Sequence, residues 1–466
     1  MDSHKQAQNI SVRSFLTAII IIFFLMVAAY VLAITIPGGV YARTVNSDGN
    51  WVIDTASGFT YTQGGISFGK WLLSPFLVLG SSGNGTLIAV IAFLLIIGGI
   101  FNSLDQCGLM KYILNKTAVT FSAVRYRLMA VVTFFFMAMG SMIGSFEECV
   151  PLVPLVVALS VNLGWDALAG IGMSLLAAGC GFAAGVCNPF TVGVAQQLAG
   201  LPMFSGIWLR LLSFVLIYLL LLLFLWHHAR KIEKPLTSVQ ASLPFEQDSK
   251  MDRGMVAFVC ILGTGIALVL SSAFIPALQD LTMIIVAVMF LIAGITAVLL
   301  CGVKPSELER SFWNGLVSIF PAVLMILMAS SIKYTLEEAK VLDTILHSAV
   351  ELAQTLPAWA AVLFIYLIVL VMNFFIPSGS AKAFMLIPLI VPMAQIFGIS
   401  AQLCVVAFAF GDGFSNVFYP TNPALLIALG LVDVNYGDWF RWSGKFQLAN
   451  ILLTSLILLF GLMVGY

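Results

Sequence analysis

Residues 140–154 read GSMIGSFEECVPLVP, and two adjacent carboxylates, Glu147 and Glu148, stand there in the middle of a long apolar run. An ionisable group at membrane depth is costly and persists where it faces a pathway or a partner. Glycines and serines precede the pair and prolines follow it. That mixture suits a helix that breaks and reverses at a cavity rather than one that simply crosses. The stretch is therefore expected to form the tip of a re-entrant hairpin over about 128–163, with Ser145, Glu147 and Glu148 at a solute site.

The surroundings decide what such a tip is embedded in. The 466 residues are 61% hydrophobic and 9% charged, with mean hydropathy +1.06, too little polar sequence to cover a soluble surface. Apolar runs of about 20 residues, each enough to span a bilayer, recur along nearly the whole chain. The expected class is an all-α polytopic membrane protein with the lipid bilayer as its surroundings, since a β-barrel would show short alternating segments instead. Formal charge is zero, so no basic excess points to nucleic acid. The seven cysteines contain no C-x-x-C pair and read as small buried hydrophobes.

Basic residues near span ends set orientation. Lys5 and Arg13 precede a first span within 1–36, which places the N-terminus in the cytoplasm. A polar segment over 37–70 follows outside, then a span at 86–101 and a basic cytoplasmic connection. Beyond the Glu hairpin, the run 167–200 is interrupted by Cys-Asn-Pro-Phe at 187–190. Proline removes a backbone donor and disfavours helix in the residue before it, so two half-helices are expected to meet near Asn188. A span at 207–226 leads to a charged cytoplasmic linker over 228–254. Two connecting spans fill 255–301, a further span is read at 312–332, and the charged segment 333–356 is placed outside. Runs 358–376 and 383–397 flank PSGSAK (377–382) as a second re-entrant hairpin. A second broken span, 401–431, carries GDGFSNVFYPTNP, and a last span covers 446–464.

The second half echoes the first. Under a shift of 234 residues, Leu152, Pro154, Leu155, Val157 and Gly164 fall on Leu386, Pro388, Leu389, Val391 and Gly398, and Asn188-Pro189 falls on Asn422-Pro423. A shift of 231 places Gly206, Trp208 and Arg210 on Gly437, Trp439 and Arg441. In this topology the two copies (37–227 and 302–466) run in opposite directions. They form inverted repeats whose hairpin tips meet two broken helices near the midplane. There half-helix N-termini offer positive dipole ends and opened carbonyls can hold a cation.

These residues carry a resemblance that runs nearly end to end. FEE at 146–148, NPF at 188–190, LAGLP at 198–202, GIWLR at 206–210, ARKIEKP at 229–235, IPSGSAKA at 376–383 and FGDGFSNVFYPTN at 410–422 resemble the YfcC-like group of the anaerobic C4-dicarboxylate carrier family, within the ion-transporter superfamily. The group includes proposed basic amino-acid antiporters. The resemblance implies inverted repeats, paired hairpins, elevator-type motion, a bacterial inner-membrane location and a homodimer. One departure is visible: the family's SGSGKA reads SGSAKA here, with Ala381 in place of a flexible glycine.

For substrate binding the candidates are Ser145, Glu147, Glu148, Asn188, Thr191, Ser378, Ser380, Lys382, Asp412 and Asn422. Glu147 and Glu148 either face the cavity or form a structural lock, satisfied by local N–H groups or by Lys382. Lys382 either binds a substrate carboxylate or serves as an internal counter-ion. Asp412, Asn416, Thr421 and Asn188 are candidates for Na⁺, or stand where they do for helix-break chemistry. Ser378 and Ser380 either cap the tip or touch ligand. Three acids against one lysine favour a cationic amine over a bare dianion, so the expected cargo is a small amino acid, basic ones first. A C4-dicarboxylate or other small carboxylate is the alternative. Coupling would come from exchange, H⁺ or Na⁺, with no bound cofactor. Neither H-E-x-x-H nor a Ser/His pair within the spans points to an enzyme, and opposed hairpins suit occlusion better than a channel.

Overall fold

In the computed structural model the described residues are 12–45, 51–54, 58–81, 85–110, 112–113, 116, 124–142, 144, 146–202, 204–233, 248–272, 282–353 and 356–466. They are predominantly helical. Helix keeps every backbone N–H and C=O paired within its own segment, which an apolar chain in lipid requires. Among them four helices are long and apolar enough to cross a bilayer: Ile207–Ile232, Ala358–Phe375, Gly379–Ile396 and Tyr436–Met463.

The chain opens with α1 (Val12–Thr35). The segment read as featureless outer loop instead forms four short strands, β1 (Gly39–Tyr41), β2 (Arg43–Val45), β3 (Trp51–Ile53) and β4 (Phe59–Tyr61). They pair antiparallel as β1–β4 and β2–β3, so the all-α class needs this amendment. What holds the ribbons is distant in sequence. Arg43 and the Tyr41 N–H both donate to Asp343 (2.9 and 3.0 Å), and the Phe59 ring stacks on His347 at 4.0 Å. Alternation over three residues is too brief to be seen as a strand pattern.

Short helices α2 (Phe68–Leu72) and α3 (Ser74–Leu77) lead to α4 (Gly85–Gln106) and α5 (Arg125–Met142). After a break comes a tight 3₁₀ turn, Glu147–Leu152, and then α6 (Val153–Asn162). Gly144 takes a left-handed φ of 79° at the reversal, a conformation open to glycine at little cost. Arg125 at the start of α5 donates to the Leu163 carbonyl beyond the end of α6 (3.2 Å). The outer ends of the two arms therefore meet, and 125–163 is a hairpin. Helix α7 (Ala167–Ala183) breaks before Asn188, and α8 resumes over 189–198. Helix α9 (Ile207–Ile232) follows.

Helices α10 (Ser249–Ser272) and α11 (Thr282–Leu300) connect to α12 (Pro305–Glu338). At 34 residues α12 is much longer than the span read at 312–332. The charged segment after it holds α13 (Leu342–Ala353), whose Leu342, Leu346 and Val350 are buried at helical spacing. The second hairpin is α14 (Ala358–Phe375) and α15 (Gly379–Ile396). The second broken helix is α16 (Ala401–Asn416) and α17 (Pro423–Leu431), and α18 (Tyr436–Met463) closes the chain. Helix α18 starts ten residues before the expected span, and the linker shrinks to the residues between α9 and α10, of which 234–247 lie outside the described ones.

The order hairpin, broken helix, long helix thus occurs twice, and α5 and α14 both have 18 residues. The return arms differ for a local reason. Pro151 sits inside the turn after Glu147, whereas Met385 stands at the matching position, so α15 is α-helical from Gly379 onward. Lys382 therefore belongs to a helix's first turn rather than to a loop. Ala381 sits in the same turn, where right-handed helix demands no glycine.

Candidate functional site

Both halves build their breaks from the same parts. Asn188 Oδ1 accepts from the Thr191 N–H (3.3 Å), and Asn422 Oδ1 accepts from the Ala424 N–H (2.9 Å). Each caps the half-helix that its proline starts. Carbonyls opened by the breaks are satisfied by the following long helix. Arg210 on α9 donates to Val186, Phe204 and Ser205 carbonyls. On α18, Tyr436 and Trp439 serve Phe418 and Val417 at 2.8 Å each, and Gln447 serves Phe414. The break carbonyls of Val186, Phe414, Val417 and Phe418, expected to be open to a cation, thus already accept a hydrogen bond.

The two breaks come together through close helix crossings. Helices α7 and α16 pack with Gly413 against Ala183 and Gly179 against Val417, where any added Cβ would overlap its neighbour. Small residues of this kind let helices approach where lipid supplies no hydrophobic drive. The second tip lands at this crossing. A Cβ on Gly379 would lie 2.6 Å from Thr191 Cγ2 and 2.7 Å from Asp412 Oδ2. One residue from each of three elements, far apart in sequence, thus meets at one point. Asp412 lies well inside the α16–α17 unit, so the tip reaches its middle. Across the halves α8 packs on α15, and α17 packs on the Glu147–Leu152 turn.

At this point Lys382 and Asp412 form an ion pair, Nζ to Oδ1 2.6 Å, with both side chains 0% exposed. The Lys382 ammonium also donates to the Ile376 carbonyl (3.0 Å) and to Asn373 Oδ1. Asn373 Nδ2 in turn lies 3.1 Å from the Asp412 carbonyl, 2.6 Å from Ser415 Oγ and 2.9 Å from Asn416 Oδ1. Lys382 therefore staples both arms of its own hairpin and ties the tip to α16. The ion pair of Lys382 is thus with Asp412 and not with the Glu pair.

The other candidates fall into place around that staple. Asn416 Oδ1 accepts from Asn373 and from Asn422 Nδ2 (3.1 Å), so Asn416 and Asn422 hold the break together. Among the buried oxygens without a hydrogen bond are Asp412 Oδ2, Thr191 Oγ1 and Thr421 Oγ1. Ser378 is the N-cap residue of α15 but its hydroxyl makes no cap bond, which corrects the capping expectation. It is exposed at the tip and Ser380 is half-buried. Glu147 and Glu148 are half-buried on a turn packed between α17 and α11. Glu147 forms no salt bridge among the described residues, and Glu148 and Asp412 are its nearest acidic neighbours. Ser145 lies outside the described residues. A surface cavity of about 300 Å³ lined by Gln395, Ser400, Gly461 and Tyr466 touches none of these groups.

As a Na⁺ site the set fits poorly while Lys382 is in place, because one Asp412 oxygen and the nearby amide and carbonyl oxygens already surround an ammonium. No group of three His, Cys, Asp or Glu that could hold a metal occurs among the described residues.

Asn373 and Ser141 were missed from sequence. Ser141 joins its hairpin arm to the first break, donating to the Ala184 carbonyl and accepting from the Val186 N–H at 3.0 Å each. Each stands near the end of the first arm of its hairpin, in an otherwise apolar turn (FFFMAMGSM and LIVLVMNFF), and that was the available signal.

The model of the C4-dicarboxylate anaerobic carrier family matches residues 15–464. A relative in Escherichia coli, YfcC, is 30% identical over 419 residues, covering 84% of this chain and 81% of that protein, and its name proposes a basic amino acid antiporter. An uncharacterized Haemophilus influenzae protein is 22% identical over 396 residues, 80% of this chain and 76% of its own. Among solved structures, the Alcanivorax borkumensis YdaH transporter aligns over 97% of this chain and 99% of its own at 19% identity and TM-score 0.44. Neisseria gonorrhoeae MtrF aligns over 96% and 94% at 16% identity, also with TM-score 0.44. The chain is a multi-pass membrane protein and belongs to the C4-dicarboxylate anaerobic carrier family, a family of transporters.

Proposed function

We propose that this chain is a secondary transporter that exchanges small amino acids, basic ones first, by alternating access. The observation that carries the reading is the placement of charge. The Lys382 ammonium is spent on Asp412, Asn373 and the Ile376 carbonyl. It is thereby withdrawn from any substrate carboxylate, while the half-buried Glu147 carboxylate at the opposite tip forms no salt bridge among the described residues. A cationic side chain or ammonium relieves that charge, whereas a bare dianion meets repulsion. The name given to the YfcC relative points the same way.

In this reading the halves are inverted, the N-terminus is cytoplasmic and the membrane is the bacterial inner one. The two hairpins and broken helices (α5–α8 and α14–α17) move as one body against α4, α10, α11 and α12. Support comes from the cross-half contacts of α8 with α15 and of α17 with the Glu turn. The family's description favours a second cargo, a C4-dicarboxylate, which would need protons or a cation alongside it.

Proteoliposomes preloaded with lysine, arginine, ornithine, succinate or nothing decide between them. Radiolabelled arginine should enter only against an internal basic amino acid, and Glu147→Gln should cut the rate at least tenfold while leaving thermal stability intact. Uptake driven by internal succinate but not by arginine would overturn the amino-acid reading.

A further inference from the structure

We infer that the Lys382 ammonium acts as a built-in coupling cation, so that the site beside Asp412 is a monovalent-cation site that accepts Na⁺ or Li⁺ only when Lys382 is absent. The inference rests on the alternating-access reading above, with the second hairpin tip lifting from α16 to admit cargo within the moving body, but not on the identity of the cargo.

Three kinds of oxygen surround Nζ: a carboxylate at 2.6 Å, a backbone carbonyl at the hairpin tip at 3.0 Å, and the Asn373 amide. Such a set is one by which broken membrane helices hold small cations. Two further oxygens are buried and carry no hydrogen bond: Asp412 Oδ2, which lies against Gly379, and Oγ1 of Thr191, whose methyl lies against the same glycine. The three N–H donors of the ammonium are already spent on Asp412 Oδ1, the Ile376 carbonyl and Asn373 Oδ1, whereas a metal ion takes more than three oxygens and could draw on the second Asp412 oxygen as well. Lys382 is covalently part of the tip that must move. A free ion would have to arrive before the tip settles on α16 and leave before it lifts. A tethered ammonium does neither, so closure becomes independent of the ions in solution.

The test uses the purified full chain in detergent, with NaCl, LiCl or choline chloride at equal ionic strength. Wild type should show the same Tm in all three. Lys382→Ala should show a saturable rise in Tm with Na⁺ or Li⁺ over choline. Na⁺ at about a hundred times its Kd raises the folding constant about a hundredfold. Lys382→Ala/Asp412→Asn should lose that rise. A Na⁺-specific shift in wild type overturns the inference, as does a folded Lys382→Ala protein with no shift. Should Lys382→Ala fail to fold, the wild-type comparison still decides, together with arginine exchange in Na⁺-free liposomes. Exchange that requires Na⁺ overturns the built-in cation while leaving the cargo reading standing. An unchanged wild-type Tm with no amino-acid exchange sinks the cargo reading alone.

Discussion

Breaking the Lys382–Asp412 pair from either side should not cost the same. Both side chains are 0% exposed, and removing one partner of a buried pair costs about 3–5 kcal/mol because the other charge is stranded. After Asp412→Asn the ammonium still has the Ile376 carbonyl and Asn373 Oδ1, which places this variant near the lower end, about 3 kcal/mol. After Lys382→Met the carboxylate has nothing, since neither Asp412 oxygen makes any other hydrogen bond. That variant belongs near the upper end, about 5 kcal/mol. The double variant Lys382→Met/Asp412→Asn strands no charge and leaves unpaired neutral groups at about 1–3 kcal/mol, so it should be more stable than Lys382→Met alone. The assay is denaturant unfolding in Na⁺-free choline buffer, followed by the fluorescence of the nine tryptophans. Two single variants of equal cost would refute the difference in residual partners. Costs that add in the double variant to within about 0.5 kcal/mol would refute the pair itself.

Asn188→Ala and Asn422→Ala each remove a cap from a half-helix and should cost about 0.5–2 kcal/mol. Asn422 should lie at the high end, because its amide also holds Asn416, and equal costs in unfolding experiments would contradict that. Gly379→Ala inserts a methyl 2.6 Å from Thr191 and 2.7 Å from Asp412. With overpacking at about 1–3 kcal/mol, the tip should lift and a cysteine placed at Ser378 should label faster with a membrane-impermeant maleimide; unchanged labelling would show that the tip does not rest on those atoms. Near the start of α10, hydrogen bonds from Lys116 and Tyr112 hold the Asp252 carboxyl below its usual value. Its contribution is present in full above pH of about 4 and lost as pH falls through the depressed value. The Tm gap between wild type and Asp252→Asn should therefore close on acidification, and a constant gap would argue against it.

Local chemistry alone locates the breaks. Asn188-Pro189 and Asn422-Pro423 interrupt their helices where proline removes a donor, and GSFEECVP reverses the chain as its glycines and prolines require. The membrane class needs nothing beyond composition. What local pattern could not show is pairing between distant residues. Lys382 had two carboxylate sites within reach on paper, and only the landing of Gly379 between Thr191 and Asp412 chose one of them. Asn373 reads as one polar residue in an apolar helix until the fold sets it against residues 412–416. The outer strands depend on Asp343 and His347, some 300 residues downstream.

Thus the sequence by itself determined a helical membrane protein with two interrupted spans and two costly charged tips, one acidic and one basic, because desolvation and backbone pairing act residue by residue. Only the tertiary structure decided which charge neutralises which, because a buried ion pair is set by the packing that brings two helices within 3 Å, and nothing along the chain records that distance.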